Sequence, residues 1–274
     1  MPVKPCFAAV VVSHNSWLVI DKCLDALLGQ TIAINRIILV DSGSDRVDYL
    51  DKYQNNPAIT LIKEANIGFA RANNLGIAAL AYQFDYLLLI NPDLFVPADF
   101  TISLQKSIEN IGDFGLLTGK LIGFDLSNNC ETKKLDSTGV FRKWYGRWYD
   151  RGQGQPDTGQ YDRIEEIPAA CGAMICLPKK VVEKCGGMVF NPVFFMYKED
   201  IELGIRLGKQ GRKLYYDPSI TAWHCRGWQP DRKNIPRKLK IIAAVSEIRL
   251  YLLHPSVYLL WAWAKYLLVR FFNW

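Results

Sequence analysis

The chain predicts an α/β fold on a mostly parallel sheet with helices on both faces. Two observations predict it. Fully apolar, β-branched runs alternate with segments of helical periodicity, and several of these runs end in a cluster of small polar residues. Strands without a polar side belong to sheets covered on both faces. Polar clusters at strand C-termini are where open α/β sheets hold ligands.

Phe7 to Ser13 is the first such run and ends in Ser13-His14-Asn15; Ile37 to Val40 is the second and ends in Asp41-Ser42-Gly43-Ser44-Asp45. Between them Leu18, Cys23, Leu24, Leu27 and Leu28 recur at helical spacing, which makes a βαβ unit. Ile59 to Ile62 gives a third strand and Phe69 to Tyr82 an alanine-rich helix. Tyr86 to Ile90 is a fourth strand, stopped by Asn91-Pro92-Asp93. From Gly112 to Gly159 the pattern loosens into glycine-rich and aromatic segments, including Leu135-Asp136-Ser137-Thr138-Gly139 and the stretch from Trp144 to Gly152. Loops rich in Trp, Tyr and Arg suit a binding rim, where rings stack on sugars or bases and arginine grips phosphate; the same residues also suit aromatic packing under a long loop. After Gly211, Lys213 to Tyr216 reads as a strand that leads to Asp217-Pro218 and Ala222-Trp223-His224, and from Leu239 the chain turns helical and apolar.

At 274 residues the chain exceeds the usual domain of ~100–150 and fits one α/β domain with an appendage. Its formal charge of +6 is partly local: Arg226, Arg232, Lys233, Arg237, Lys238 and Lys240 crowd together with Asp231 the one acid among them. That concentration calls for an anionic partner, a phosphate-bearing substrate or an anionic membrane surface. Nucleic acid is set aside, because no nucleic-acid module is present and the aromatics that follow sit in an apolar stretch. The seven cysteines include no Cys-x-x-Cys pair, which argues against zinc and for reduced thiols in a cytoplasmic compartment. The N-terminus has no apolar core of a signal peptide. Val257 to Phe272 carries Tyr258, Trp261, Trp263 and Tyr266 but is interrupted by Lys265 and Arg270, and is shorter than the ~20 apolar residues of a bilayer span. It reads as an in-plane membrane anchor, or as a helix packed on the domain or in a homodimer interface.

Two acidic sites carry candidate chemistry. Glu199, Asp200 and Glu202 follow directly on the apolar run Val193-Phe194-Phe195-Met196. They read either as partly desolvated carboxylates at a cleft mouth, able to act as a base, or as a helix first turn that complements the macrodipole. Asp93 ends a strand behind Pro92, which donates no hydrogen bond, so its carboxylate projects beyond the sheet edge, where a hard cation such as Mg²⁺ or Mn²⁺ can be held; Asn-Pro-Asp is also a common turn. Asp41 and Asp45 suit a base or ribose, or an Asx-turn. His224 is either a metal ligand or a structural histidine.

Five motifs combine these residues in order: Val40-Asp41-Ser42-Gly43-Ser44-Asp45, Ala65-Asn66-Ile67-Gly68-Phe69-Ala70-Arg71-Ala72-Asn73-Asn74-Leu75-Gly76-Ile77, Asn91-Pro92-Asp93, Cys171-Gly172-Ala173-Met174 and Phe194-Phe195-Met196-Tyr197-Lys198-Glu199-Asp200. The chain thereby resembles the family 2 glycosyltransferases from residue 7 to about 225, and within them the rhamnosyltransferase-like branch that builds bacterial surface polysaccharides. The resemblance implies a GT-A fold that transfers a sugar from a nucleoside diphosphate with inversion. It implies residues 1–225 as the transferase domain, with 1–110 the nucleotide-sugar half and 111–225 the acceptor half, and 226–274 as a basic, aromatic, helical membrane-association segment. Ser13, Asn15, Asp41 and Ser42 would line the nucleoside pocket, and Asn66, Arg71 and Asn74 would face ribose and diphosphate. Asp93 would bind the divalent cation, with His224 touching the metal or diphosphate and Asn91 where an acid often stands. Asp200 would be the catalytic base beside Glu199. Trp148, Arg151, Gly172 and Ala173 would meet donor sugar or acceptor.

The implied partners are a nucleotide-sugar donor, dTDP-L-rhamnose by resemblance, and a lipid-linked oligosaccharide acceptor at the inner face of the cell membrane. UDP- or GDP-sugars are the alternative donors. A sugar nucleotidyltransferase would want a glycine-rich loop with a basic residue after the first strand, and Val12-Ser13-His14-Asn15-Ser16 has none. An inactive membrane-associated binding module is a third reading. The chain departs from the family pattern at Asn91, and at Gly186-Gly187, which is followed by the longer segment Met188 to Val193 with Asn191 in an acid's place.

Overall fold

The computed structural model describes residues 5–225 and 236–272. It opens with β1 (Phe7–Ser13), whose seven residues are all buried, and α1 (Ile20–Leu28), which turns Ile20, Cys23, Leu24 and Leu27 inward. β2 runs over Ile34–Ser42 and β3 over Ile59–Glu64, both longer than the apolar pattern alone defines. α2 (Phe69–Ala79) ends before the predicted Tyr82, because Ala81 and Tyr82 take φ of +47° and +56°, which no right-handed helix accommodates. β4 (Tyr86–Ile90), the short β5 (Leu94–Phe95) and α3 (Phe100–Ile111) complete the first half.

The loosened region is not mainly loop. It contains β6 (Leu116–Asp125), β7 (Cys130–Ser137), β8 (Val140–Arg142) and β9 (Trp148–Asp150). β7 and β9 pair antiparallel with their neighbours, and β7 is exposed over most of its first half, so neither shows the apolar run that marked the parallel strands. β10 (Glu165–Glu166), β11 (Met174–Pro178), α4 (Lys179–Lys184) and α5 (Glu199–Lys209) follow. β12 (Leu214–His224) continues far past the predicted Tyr216, through Asp217-Pro218, by means of an irregularity between Asp217 and Thr221.

The main sheet has the order β10-β12-β6-β11-β4-β1-β2-β3, with β5 on β12 and β7 on β6. β4, β1, β2 and β3 are mutually parallel, as the apolar runs require; β11 enters antiparallel to β4. Parallel register brings the strand ends to one rim, with Ser13 opposite Asp41 and Val11 opposite Ile90. Because β11 runs the other way, its start lies at that same rim, and the Asn91 amide donates to the Ala173 carbonyl at 2.9 Å. β12 pairs His224 with Leu94, which carries the histidine to Asp93.

α6 (Arg237–Leu253) and α7 (Leu259–Phe272) pack on this body. Ser246 Oγ donates to the Met196 carbonyl at 2.8 Å, Arg249 to that of Val193 at 2.6 Å and Tyr251 to that of Gly146 at 2.7 Å. Lys265 of α7 pairs with the buried Glu247 of α6. Among the described residues no helix is long and apolar enough to cross a membrane. Of the basic cluster, Arg226, Arg232 and Lys233 lie outside the described residues, while Arg237, Lys238 and Lys240 begin α6. All seven cysteines are free thiols.

Candidate active site

Along the strand-end rim lies a cleft of about 960 Å³, lined by Asn15, Ser42, Asn66, Asn91, Asp93 and, from α6, Lys238. All three polar clusters read from the sequence therefore meet in one place. Asn15 is held there at φ +55°, accepting from the Asp45 amide at 2.8 Å and donating to the Asp45 carboxylate at 2.9 Å. Asp45 thus positions Asn15. His14, which the motif comparison passed over, also lines the cleft and contacts the Ser42 carbonyl through Nδ1.

Four expected nucleotide contacts lie elsewhere. Ser13 and Asp41 are fully buried behind the rim: Ser13 pairs with the Tyr49 hydroxyl, and Asp41 accepts from the amide and hydroxyl of Ser44. Asp41 therefore shapes the loop under the pocket in this structure. Asn74 donates to the Phe190 carbonyl at 2.7 Å and accepts from the Phe190 amide at 3.0 Å, which uses both ends of its side chain. Arg71 donates to the Pro192 carbonyl. Neither lines the cleft. Together they fasten the segment before Phe195 and Met196, and those two residues do line it. The Phe69 amide at the start of α2 donates to the Phe195 carbonyl at 2.7 Å, an approach that Gly68, at φ +82°, permits because a Cβ there would meet that oxygen at 2.5 Å.

A second cavity of about 340 Å³ adjoins the cleft, with Phe69, Asn91, Asp93 and Met196 common to both. It is lined further by His224, Trp148, Asp150, Gly172, Ala173, Glu199 and Asp200. Asp93 and Asp200, the two acidic sites read independently from the sequence, thus share one cavity.

His224 is buried between two carboxylates, with Nε2 3.3 Å from Asp93 Oδ1 and Nδ1 2.8 Å from Asp136 Oδ2. Burial by itself would lower its pKa, but Asp93 and Asp136 outweigh burial and raise it to about 9. Asp136 sits in the stretch first read as a loose glycine-rich segment and orients the ring.

Tyr197 and Lys198 take φ of +71° and +74°, and this left-handed pair reverses the chain so that the first turn of α5 faces the cavity. Asp200 Oδ2 accepts from the Gly172 amide at 2.9 Å and Oδ1 from the Ile201 amide at 2.8 Å. Burial raises the Asp200 pKa and the two amides pull against that rise, while Asp150 across the cavity adds to it. Burial, with the neighbouring Asp200 second, pushes the Glu199 carboxyl up to about 8. Among the described residues Glu199 Oε2, Asn91 Oδ1 and Trp148 Nε1 are buried without a hydrogen-bond partner. Unpaired polar atoms are costly in a folded interior, and a bound polyhydroxylic ligand would satisfy them.

Arg151 does not act as a phosphate grip. Its guanidinium stacks on Phe141, Tyr161 and Tyr216 and bonds Glu165 and the Thr138 carbonyl, so it is a structural post that ties β8 and β9 to β10 and β12. Asp150 was missed because it sat inside an aromatic run read for its rings, and nothing local marks it as lining a cavity. Lys238 belongs to the basic run read for a phosphate-bearing substrate or an anionic membrane surface, and it lines the larger cleft.

The chain is similar to known proteins in sequence and in fold. The model of glycosyl transferase family 2 matches residues 8–175. The chain is 26% identical over 233 residues to the N-acetylglucosaminyl-diphospho-decaprenol L-rhamnosyltransferase of Mycobacterium tuberculosis, covering 78% of this chain and 74% of that one. It is 21% identical over 242 residues to the rhamnosyltransferase WbbL of Escherichia coli, covering 78% and 81%. Among solved structures it superposes on GalNAc-T7 with UDP, GalNAc and Mn²⁺ at a TM-score of 0.69 and 16% identity, over 92% of this chain and 48% of that one. This chain thus spans about half the length of that structure, and the likeness is one of fold, GT-A. With the family model covering more than half of the chain, the protein belongs to glycosyl transferase family 2 and is a glycosyltransferase.

Proposed function

We propose that this glycosyltransferase moves L-rhamnose from dTDP-rhamnose, with inversion, onto a hydroxyl of a lipid-linked glycan at the inner face of a bacterial membrane, in surface-polysaccharide synthesis. The observation that carries the reading is the cavity shared by Asp93 and Asp200. The names of the two rhamnosyltransferase relatives support the sugar, and the diphospho-decaprenol in one of them supports the lipid-linked acceptor.

The larger cleft has the size and the strand-end amides of a nucleotide site, with Asn15, Ser42 and Asn66 toward the nucleoside and Lys238 toward the phosphates. Inversion needs the acceptor hydroxyl to attack opposite the leaving diphosphate, so its base must stand across the sugar from the phosphate site. Asp200 takes that hydroxyl proton. The Gly172 and Ile201 amides hold its oxygens in place, and Glu199 beside it holds a proton near neutral pH and can donate to a sugar oxygen.

A divalent cation fits the donor set at the junction of the two cavities. Asp93 offers a partly exposed carboxylate, Asn91 Oδ1 is a buried oxygen with no partner among the described residues, and His224 Nε2 beside Asp93 would join them only on giving up its proton. These groups do not form a full cage: no cluster of three or more His, Cys, Asp or Glu able to hold a metal occurs among the described residues. Such a set suits Mg²⁺ or Mn²⁺ that takes its other ligands from substrate phosphates. The ion, when bound, would offset charge developing on the leaving diphosphate.

The test is a thermal-shift and transfer screen of dTDP-, UDP- and GDP-sugars with and without Mn²⁺. Stabilisation by dTDP-rhamnose is expected, with the Mn²⁺-dependent part lost in Asp93→Asn. Asp200→Asn is expected to bind donor normally while turnover falls roughly 10²–10⁴-fold, the usual worth of a general base. Stabilisation by UDP- or GDP-sugars alone would overturn the donor, and full turnover in Asp200→Asn would overturn the base.

A further inference from the structure

We propose that the tip of the β8–β9 hairpin and the start of α7 form one wedge that docks on an anionic lipid surface beside the acceptor cavity. The proposal rests on the lipid-linked acceptor above and says which face of the molecule meets the membrane. Read along the chain, the hairpin suits sugar binding and only the C-terminal segment suits lipid; the structure joins them.

At the tip Trp144 is 96% exposed, and at the start of α7 Val257 and Leu260 are 85% and 79% exposed. Large apolar side chains so open to water mark an interaction site when they are contiguous. The two elements are fastened together at several points. The Tyr145 and Tyr258 rings lie 6.2 Å apart, Arg142 donates to Ser256 Oγ at 2.7 Å, and Tyr251 donates to the Gly146 carbonyl at 2.7 Å. Gly146, at φ +109°, allows the contact, since a Cβ there would lie 2.7 Å from Tyr258 Cβ.

The occupant follows from charge. Residues 141–147 and 252–272 contain Arg142, Lys143, Arg147, Arg270 and Lys265, the last paired with Glu247, and no aspartate or glutamate. Arg142, Lys143, Arg147 and Arg270 are exposed. A second copy docking by a two-fold axis would bring these like charges together, whereas anionic headgroups neutralise them while the rings enter the interface. The other end of the hairpin supports the same partner. Val140, Trp148 and Asp150 line the cavity that holds Asp200. Trp148 lies four positions after Trp144, at most ~13 Å of strand, so a surface gripped by the tip lies within reach of an acceptor with a short head group.

The experiment is flotation of the full chain with phosphatidylcholine vesicles, with and without phosphatidylglycerol, in the absence of donor and acceptor. The wild type is expected to float with the anionic vesicles only. The pair Trp144→Glu with Val257→Glu, and separately Lys143→Glu with Arg147→Glu, should each weaken that binding at least ~10-fold, as loss of inserted rings or of headgroup attraction requires. Each should keep the nucleotide-induced thermal shift of the wild type. Undiminished flotation of both variants overturns the wedge. So does a wild type that ignores vesicles, including one whose sedimentation shows a dimer broken by Trp144→Glu, which would make the occupant a second copy. Because no sugar is present, failure here leaves the transfer reaction untouched, and a failed donor screen leaves the flotation result standing.

Discussion

The backbone amide of Gly172 donates to Asp200 Oδ2 at 2.9 Å, and this bond joins the segment that leads into β11 to the first turn of α5 at the wall of the smaller cavity. A Cβ at 172 would lie 3.3 Å from Asp200 Cβ and 3.4 Å from Oδ2, close enough that the carboxylate must give by a fraction of an ångström. Gly172→Ala is therefore expected to displace the Asp200 carboxylate slightly. Turnover should fall roughly tenfold, the scale of a sub-ångström misplacement, while donor affinity by calorimetry stays unchanged. Equal losses in turnover and donor affinity would mean that Gly172 holds the donor and not the base.

Glu199 sets a pH dependence of stability. Its folded pKa of about 8 stands above the ordinary 4.5, because burial and the adjacent Asp200 disfavour its charge. Between those two values the folded carboxyl keeps a proton that the unfolded one has lost, so stability declines as pH rises through this window, by at most ~1.4 kcal/mol per unit for one proton. Glu199→Gln removes the linkage. Urea unfolding at several pH values from 5 to 8 should give a flatter profile for the variant, and parallel profiles would show that Glu199 ionises normally.

Asn74 separates a structural role from a ligand role. Both ends of its amide are spent on the Phe190 backbone, so Asn74→Ala leaves a partly buried backbone amide and carbonyl without those partners. The expected cost is about 1–3 kcal/mol of stability with little change in donor affinity. A selective loss of donor binding at unaltered stability would return Asn74 to the diphosphate.

Lys238 is the single lysine or arginine among the described residues that line the larger cleft, where Asn91 stands in place of an acid and Asp93 and Asp125 supply negative charge. One charge-assisted contact to a phosphate is worth about 1.5–3 kcal/mol. Lys238→Ala should accordingly weaken nucleoside diphosphate binding ~10-fold or more without altering vesicle flotation. The reverse pattern would assign the residue to lipid.

Much of the first 110 residues was legible because parallel strands are buried on both faces and announce themselves as apolar runs. β1, β4 and the loops after them fell where the pattern put them, and the register of a parallel sheet carried Asn15, Ser42 and Asn91 to one rim. The strands after α3 were hidden, since β7 is mostly exposed until its last three residues and β6 is interrupted by Gly119 and Gly123. The motif from Asn66 to Asn74 was legible as a motif and misread in part. Its residue types suit phosphate and backbone carbonyl equally well, and only packing shows that Arg71 and Asn74 reach the 190–192 segment.

The sequence by itself determined the fold class, the family and the two aspartates, because strand burial, strand-end chemistry and motif order are all written locally along the chain. Tertiary structure alone decided which polar groups face the cavities. Asp41 and Ser13 turn inward, Arg151 is spent on three rings, Asp136 orients His224, and α6 brings Lys238 over the cleft from the far end of the chain. The physical reason is that a polar side chain satisfies its hydrogen bonds with whatever the folded backbone brings within about 3 Å, and that neighbour is set by strand order and register rather than by nearness in sequence.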